Sequence, residues 1–466
     1  MNSKALPITA AMKATLGAAL LLLGSQQTAA KSPVQAAPVV KTTFVPLARG
    51  VPGVLYEPAV PGPKAATAVL AMHSSADYLS FSACTELAQR GYRVLCANNS
   101  TSKSGAANDG MLDQVLVEAK AAVSWLRRQP GVRHVVLLGH SGGGTVMSAY
   151  QFIAEGGLGA CRSAEKIWKC PGSLADLPPA DGVMLIDSNW GLGAMTLFSI
   201  DPAVKTEDSG TALDPALDMY NPANGFRPSG SHYPAAFTRA FLKAEGARSN
   251  ALIASAETQL AAIEAGKGPY SDDAPFVVPG AILLGSNNKL FSQDVTLMAH
   301  TRKPWPLLHA DGSMTNGIIP TVRVPENQHS QTPSLMKGAL KTTVRNYLSS
   351  YAIRTGPDFA YDASSVHGVE WTSTYASPPG NVQGIAAPLL VMGMTGHWEY
   401  LASETIYELA KSRDKSIAFV EGATHLYDTC KACEHTPGQF GDTLTTTYDH
   451  IDGWLSKPGR FTDRPH

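Results

Sequence analysis

Val135-Val136-Leu137-Leu138-Gly139-His140-Ser141-Gly142-Gly143-Gly144 is the stretch that decides the fold. Four consecutive apolar residues suit a strand buried on both faces, where neither side meets water. Gly139 to Gly143 then matches G-x-S-x-G, and Thr145 to Ala154 beyond it is compatible with a helix. A serine at a tight strand-to-helix turn takes a strained backbone conformation, and only glycine at the flanking positions avoids collision. The helix start behind it also favours negative charge developing near the hydroxyl. G-x-S-x-G alone is weak; between a buried strand and a helix it marks a nucleophile.

The same alternation runs outward from this motif. Upstream, Thr43–Leu47 and Val54–Glu57 suit edge strands, and Ala65–Met72 and Tyr92–Ala97 suit buried ones. Helices are predicted over Ser80–Gln89, stopped by Gly91, and over Asp113–Arg128, closed by Pro130. Downstream, Gly182–Ile186, Leu389–Met394 and Ile417–Val420 repeat the buried-strand pattern, and an amphipathic helix near Leu444–Leu455 ends the chain. Strands alternating with helices predict an α/β fold, a mostly parallel central sheet with helices on both faces.

Between 191 and 387 the alternation breaks, and about 200 residues are too many for a loop in a compact domain. A large, mainly helical cap is expected there, with helices over Pro234–Glu245, Asn250–Glu264 and Ser334–Tyr351. The core then falls into two parts, 41–190 and 388–458. Residues 1–30 read as a secretory signal peptide: Lys4 and Lys13 precede apolar Ala14–Gly24, and small Thr28 and Ala30 follow at −3 and −1.

Export to the periplasm or medium makes the six cysteines readable as disulfides. Local pairs Cys84–Cys96, Cys161–Cys170 and Cys430–Cys433 are favoured, although six cysteines allow about 15 connectivities. A redox C-x-x-C and a Cys₄ zinc site are the sharper alternatives. The 37 basic and 38 acidic residues give a net charge of −1, which offers no basic surplus to a nucleic acid. With 44% hydrophobic and 16% charged residues the chain is not mainly disordered, and its one short apolar run argues against stable membrane insertion. No H-E-x-x-H occurs, and no phosphate-binding glycine motif follows a strand, so neither metal nor cofactor is expected.

A serine hydroxyl is a poor nucleophile without a base. His425, in Glu421-Gly422-Ala423-Thr424-His425 directly after the last predicted strand, is placed to project over the sheet edge. On these residues the chain resembles the α/β-hydrolase superfamily, with the order nucleophile, acid, histidine, over about 65–186 and 388–455. The resemblance implies that the loop after the third strand supplies an oxyanion-hole amide. His73-Ser74-Ser75 stands there, so the backbone amides of Ser75 and Gly142 are the expected pair.

For the acid, the superfamily's usual Asp is missing after Leu389–Met394. Glu399 lies in that loop, Asp187 ends the preceding core strand at the other position the superfamily uses, and Glu404 is a third candidate. Glu399 is preferred over Asp187. A serine at the elbow excludes the branches with an aspartate nucleophile. The expected protein is an exported serine hydrolase that opens a carboxylic ester or lactone of a small molecule through an acyl-enzyme on Ser141. An enclosed, mostly apolar pocket is expected, with Trp305 and Trp398 nearby. An amidase or peptidase, an acyltransferase and a catalytically retired binding protein are the other readings.

Overall fold

The computed structural model describes residues 39–48, 50–103, 110–207, 212–281, 289–326 and 338–461, so the predicted signal peptide lies outside the described residues. Its first strands, β1 (Val40–Ala48) and β2 (Val51–Pro58), form an antiparallel hairpin. Then follow β3 (Thr67–Ala71), β4 (Arg93–Ala97), β5 (His134–Ser141) and β6 (Gly182–Ser188). The insertion contributes β7 (Pro275–Pro279), β8 (His300–Leu308), β9 (Met314–Pro320), β10 (Ala339–Thr343), β11 (Thr355–Tyr361) and β12 (Val366–Val369). The chain returns to the core with β13 (Leu389–Met394) and β14 (Lys415–Val420).

Ten strands make one sheet in the order β1-β2-β4-β3-β5-β6-β13-β14-β8-β9. From β4 to β8 every pairing is parallel, and the sheet is antiparallel only at its two ends. The apolar runs are explained by this burial. Val135, Leu137, Val183, Leu185 and Val391 pack on one face with helices Leu112–Arg127, Gly143–Cys161 and Tyr400–Leu409. Val136, Leu138, Met184 and Met392 pack on the other with helices Ser82–Gln89 and Thr443–Leu455. Each strand thus divides its side chains between two cores with a period of two. β5 and β6 lie at the middle of the sheet, where nothing but protein surrounds them.

The insertion departs from the expectation in three places. Helices expected over 234–245 and 250–264 are one helix, Ala235–Glu264. Gly246, between the two expected segments, is where the helix meets β11: a Cβ there would lie 2.9 Å from the Phe359 ring. Of the segment expected to be helical over 334–351, residues 334–337 lie outside the described residues; 339–343 form β10, which pairs with β7, and helical turns occupy Val344–Tyr351. Finally, β8 and β9 do not belong to a separate layer but extend the core sheet beyond β14. Glu404 ties that extension down, accepting from the Arg302 and Lys303 amides and from the Trp305 indole, so this third acid candidate is engaged at the sheet edge.

Candidate active site

Ser141 ends β5 with φ 54°, in the left-handed region, and the helix Gly143–Cys161 begins two residues later. An L residue held there is strained and persists only where its surroundings dictate it. The surroundings are backbone. A Cβ on Gly139 would lie 2.7 Å from the Gly143 carbonyl oxygen, and one on Gly143 would lie 2.7 Å from that of Met72. Neither obstacle is a side-chain tip that can swing away. Gly139→Ala is therefore expected to destabilise the fold by about 1–3 kcal/mol, the usual cost of overpacking. A thermal melt indistinguishable from wild type would show that the turn has more room than this.

Asp187 comes to the site through an irregularity in β6. His140 pairs with Ile186 but Ser141 pairs with Ser188, so Asp187 is passed over by the ladder and takes φ 44°. A bulge of this kind re-aims one side chain, and Asp is among the few residues that tolerate the conformation. Its carboxylate is fully buried: Oδ1 accepts the Met394 amide at 3.0 Å, and Oδ2 lies 2.7 Å from His425 Nδ1. Glu399 stands at the N-terminus of helix Tyr400–Leu409, also buried, with Oε2 3.6 Å from the same nitrogen. Both predicted acids thus converge on His425, and the hydrogen bond belongs to Asp187, not to the preferred Glu399.

The electrostatics follow from this crowding. Burial pushes the Asp187 carboxyl upward, but hydrogen bonds from His397 and His425 outweigh it and hold the group below the ordinary carboxylate range. Burial likewise disfavours a charged His425, yet the Glu399 charge and the Asp187 hydrogen bond and charge raise its pKa above the usual value. Glu399 is pushed up by burial and by the negative charge of Asp187, against the opposing pull of His425.

Two further histidines, which the sequence offers only as loop, core or cap residues, lie against the His425 ring. The His140 and His397 rings each lie 4.4 Å from it, centroid to centroid. His140 Nε2 is 2.7 Å from the His425 carbonyl oxygen, which can only accept, so the proton sits on Nε2 and Nδ1 accepts from the Tyr78 hydroxyl. Full burial holds this ring neutral. The variable position of G-x-S-x-G therefore fastens the histidine loop to the elbow. His397 Nδ1 lies 3.5 Å from Asp187 Oδ2, and burial followed by the His425 charge lowers its pKa to about 4. Its position two residues before Glu399 was the available signal.

At the expected oxyanion pair the picture is mixed. The Ser75 amide donates to His73 Nδ1 at 3.0 Å, and Ala76 does the same at 2.7 Å. Burial lowers the His73 pKa to about 3, so the ring stays neutral and keeps an acceptor for both amides. Ser75 is turned away by that local bond. Gly142 does face this loop, since a Cβ on it would lie 2.4 Å from Ser74 Oγ and 3.2 Å from His73 Nε2.

The cysteines pair as Cys84–Cys96, Cys161–Cys170 and Cys430–Cys433. The last closes the histidine loop, where the Cys430 amide donates to the Gly422 carbonyl at 2.8 Å. Thiol titration of the oxidised, denatured protein should give close to zero, and two or more thiols per chain would overturn the pairing. Mild reduction should lower activity before the body of the protein unfolds. A cavity of about 140 Å³ opens beside this loop, lined by Arg323, Glu326, His397, Trp398, Cys430 and Cys433 among others. Its walls carry the charged Arg323 and Glu326 beside the Trp398 ring. No helix among the described residues is long and apolar enough to cross a membrane.

No family model and no curated protein matches the chain. Among solved structures, a bacterial brefeldin A esterase, a homologue of human hormone-sensitive lipase, is 13% identical over 92% of this chain and 80% of its own, with a TM-score of 0.40. A siderophore hydrolase of Aspergillus fumigatus is 10% identical over 90% and 99%, with a TM-score of 0.42. A carboxyl esterase of the fungus Tuber melanosporum is 13% identical over 92% and 89%, with a TM-score of 0.38. Likeness of this degree says nothing about what this chain acts on.

Proposed function

We propose that the protein is an exported serine hydrolase that cleaves a carboxylic ester or lactone of a small molecule through an acyl-enzyme on Ser141. The observation that carries this is the buried bond between Asp187 Oδ2 and His425 Nδ1, 2.7 Å long, on the strand whose Ser188 pairs with Ser141. With Nδ1 committed to Asp187, His425 has Nε2 left to take the proton of Ser141 as the hydroxyl attacks the carbonyl. Asp187 holds that tautomer and stabilises the imidazolium that forms. The imidazolium then gives its proton to the leaving alcohol, and water activated by the same nitrogen releases the acid. In this reading the tetrahedral oxyanion takes the Gly142 amide and the Ser75 amide, which must leave His73 Nδ1 to reach it.

Three local disulfides support export, since such bonds persist in oxidising compartments. In this reading 41–190 and 388–458 form the catalytic core, and 191–387 supplies the cover over it. Labelling by a fluorophosphonate probe, with p-nitrophenyl esters, lactones and amides assayed alongside, tests the proposal. Probe labelling at Ser141 and turnover of esters or lactones are expected. Turnover confined to amides would move the function to an amidase. No labelling and no turnover would leave a retired binding protein.

A further inference from the structure

We propose that Asp187, His397, Glu399 and His425 form a binding site for a divalent transition-metal ion of the zinc class. Their donor atoms, two imidazole nitrogens and two carboxylate oxygens, all lie within 4.8 Å of one another. Zinc bonds of about 2.0–2.2 Å to such donors set tetrahedral edges of about 3.3–3.6 Å. His397 Nδ1 to Asp187 Oδ2 is 3.5 Å and His425 Nδ1 to Glu399 Oε2 is 3.6 Å. To admit the ion, the 2.7 Å Asp187–His425 bond must open by about 0.7 Å, and the Glu399 amide, which donates to His397 Nδ1 at 3.4 Å, must release that nitrogen.

A second observation points to a cation. Glu399 Oε2 is buried with no hydrogen-bond partner, on a side chain only 5% exposed. An orphaned buried carboxylate oxygen is costly, and an ion at the centre of these four donors satisfies it. The outer bonds are also in place, since Asp187 Oδ1 accepts the Met394 amide at 3.0 Å and so keeps Oδ2 directed inward. Two imidazoles select against calcium and magnesium, which take oxygen ligands, and favour Zn²⁺ or Co²⁺. No metal motif is visible in the sequence because the donors come from three separate segments, with Asp187 and His425 238 positions apart.

The consequence for turnover rests on the proposed hydrolase reading. The ion and the Nδ1 proton compete for one lone pair on His425. When the ion takes His425 Nδ1, an imidazolium gives up its Nδ1 proton to solvent and keeps the one on Nε2. A neutral ring relocates its proton from Nδ1 to Nε2 through solvent. Either way Nε2 is protonated and cannot accept the proton of Ser141, so the bound ion switches the enzyme off reversibly.

The test uses the full-length Ser141→Ala protein, which retains all four donors, titrated with Co²⁺. One Co²⁺ per chain with the intense visible bands of tetrahedral coordination is expected, displaced by Zn²⁺. Glu399→Gln, nearly isosteric, and His397→Ala should each weaken binding by at least about 10–100-fold, the loss that follows even from removing an outer partner of a ligand. Ester hydrolysis by the wild type should fall with the same Zn²⁺ dependence and return with chelator. Absence of the tetrahedral bands, or binding indifferent to both substitutions, overturns the site. An active wild type that saturating Zn²⁺ leaves untouched overturns the switch. A wild type inactive on every ester that still binds Co²⁺ through these residues would remove the hydrolase reading and leave the site standing.

Discussion

Ser141→Ala is expected to lower kcat on a p-nitrophenyl ester by about 10⁴- to 10⁶-fold, with a thermal melt close to that of wild type. The loss is large because the hydroxyl is the only atom that bonds to the carbonyl, and no neighbour can replace it. Any residual rate comes from substrate binding and the oxyanion amides alone. The fold should survive because Ser141 is only half-buried and its strained φ of 54° is no worse for alanine than for serine. Its strand neighbours Leu137 and Leu138 and the glycines of the turn keep every contact that shapes the elbow. If the variant keeps near-normal esterase activity and is still labelled by a fluorophosphonate, the elbow is not the site.

Asp187→Asn should cost about 10³–10⁴-fold in kcat with little change in KM. An amide at that position donates where a carboxylate accepts, and so it favours the wrong tautomer of His425. Glu399→Gln should cost far less, since its oxygen stands 3.6 Å from Nδ1 and makes no hydrogen bond there. The two carboxylates share one nitrogen, so their effects should not add: with Asp187 gone, Glu399 is the nearest group able to take its place. The double variant should therefore fall further than the two single losses combined. A collapse in Glu399→Gln beside a near-wild-type Asp187→Asn would transfer the role to Glu399.

The features legible in the sequence are those set by neighbours along the chain. A run such as Val135–Leu138 is apolar on both faces because both faces are covered, and that pattern survives without coordinates. The glycines around Ser141 mark backbone collisions within a few residues, and His425 follows its strand directly. The three cysteine pairs, 12, 9 and 3 positions apart, are likewise local.

What the tertiary structure alone decided depends on groups far apart in the chain. Whether Asp187 or Glu399 bonds His425 turns on one residue skipped in the β5–β6 ladder, which composition and spacing do not record. The Ser75 amide donates to His73, whose ring burial keeps neutral and able to accept, and spacing does not record that bond. Gly246 continues the helix where β11 packs against it, and β8 joins the sheet by pairing with β14. Local preference names the elements, but contacts made across more than a hundred positions choose which polar groups face one another, and the chemistry of the site is made of those choices.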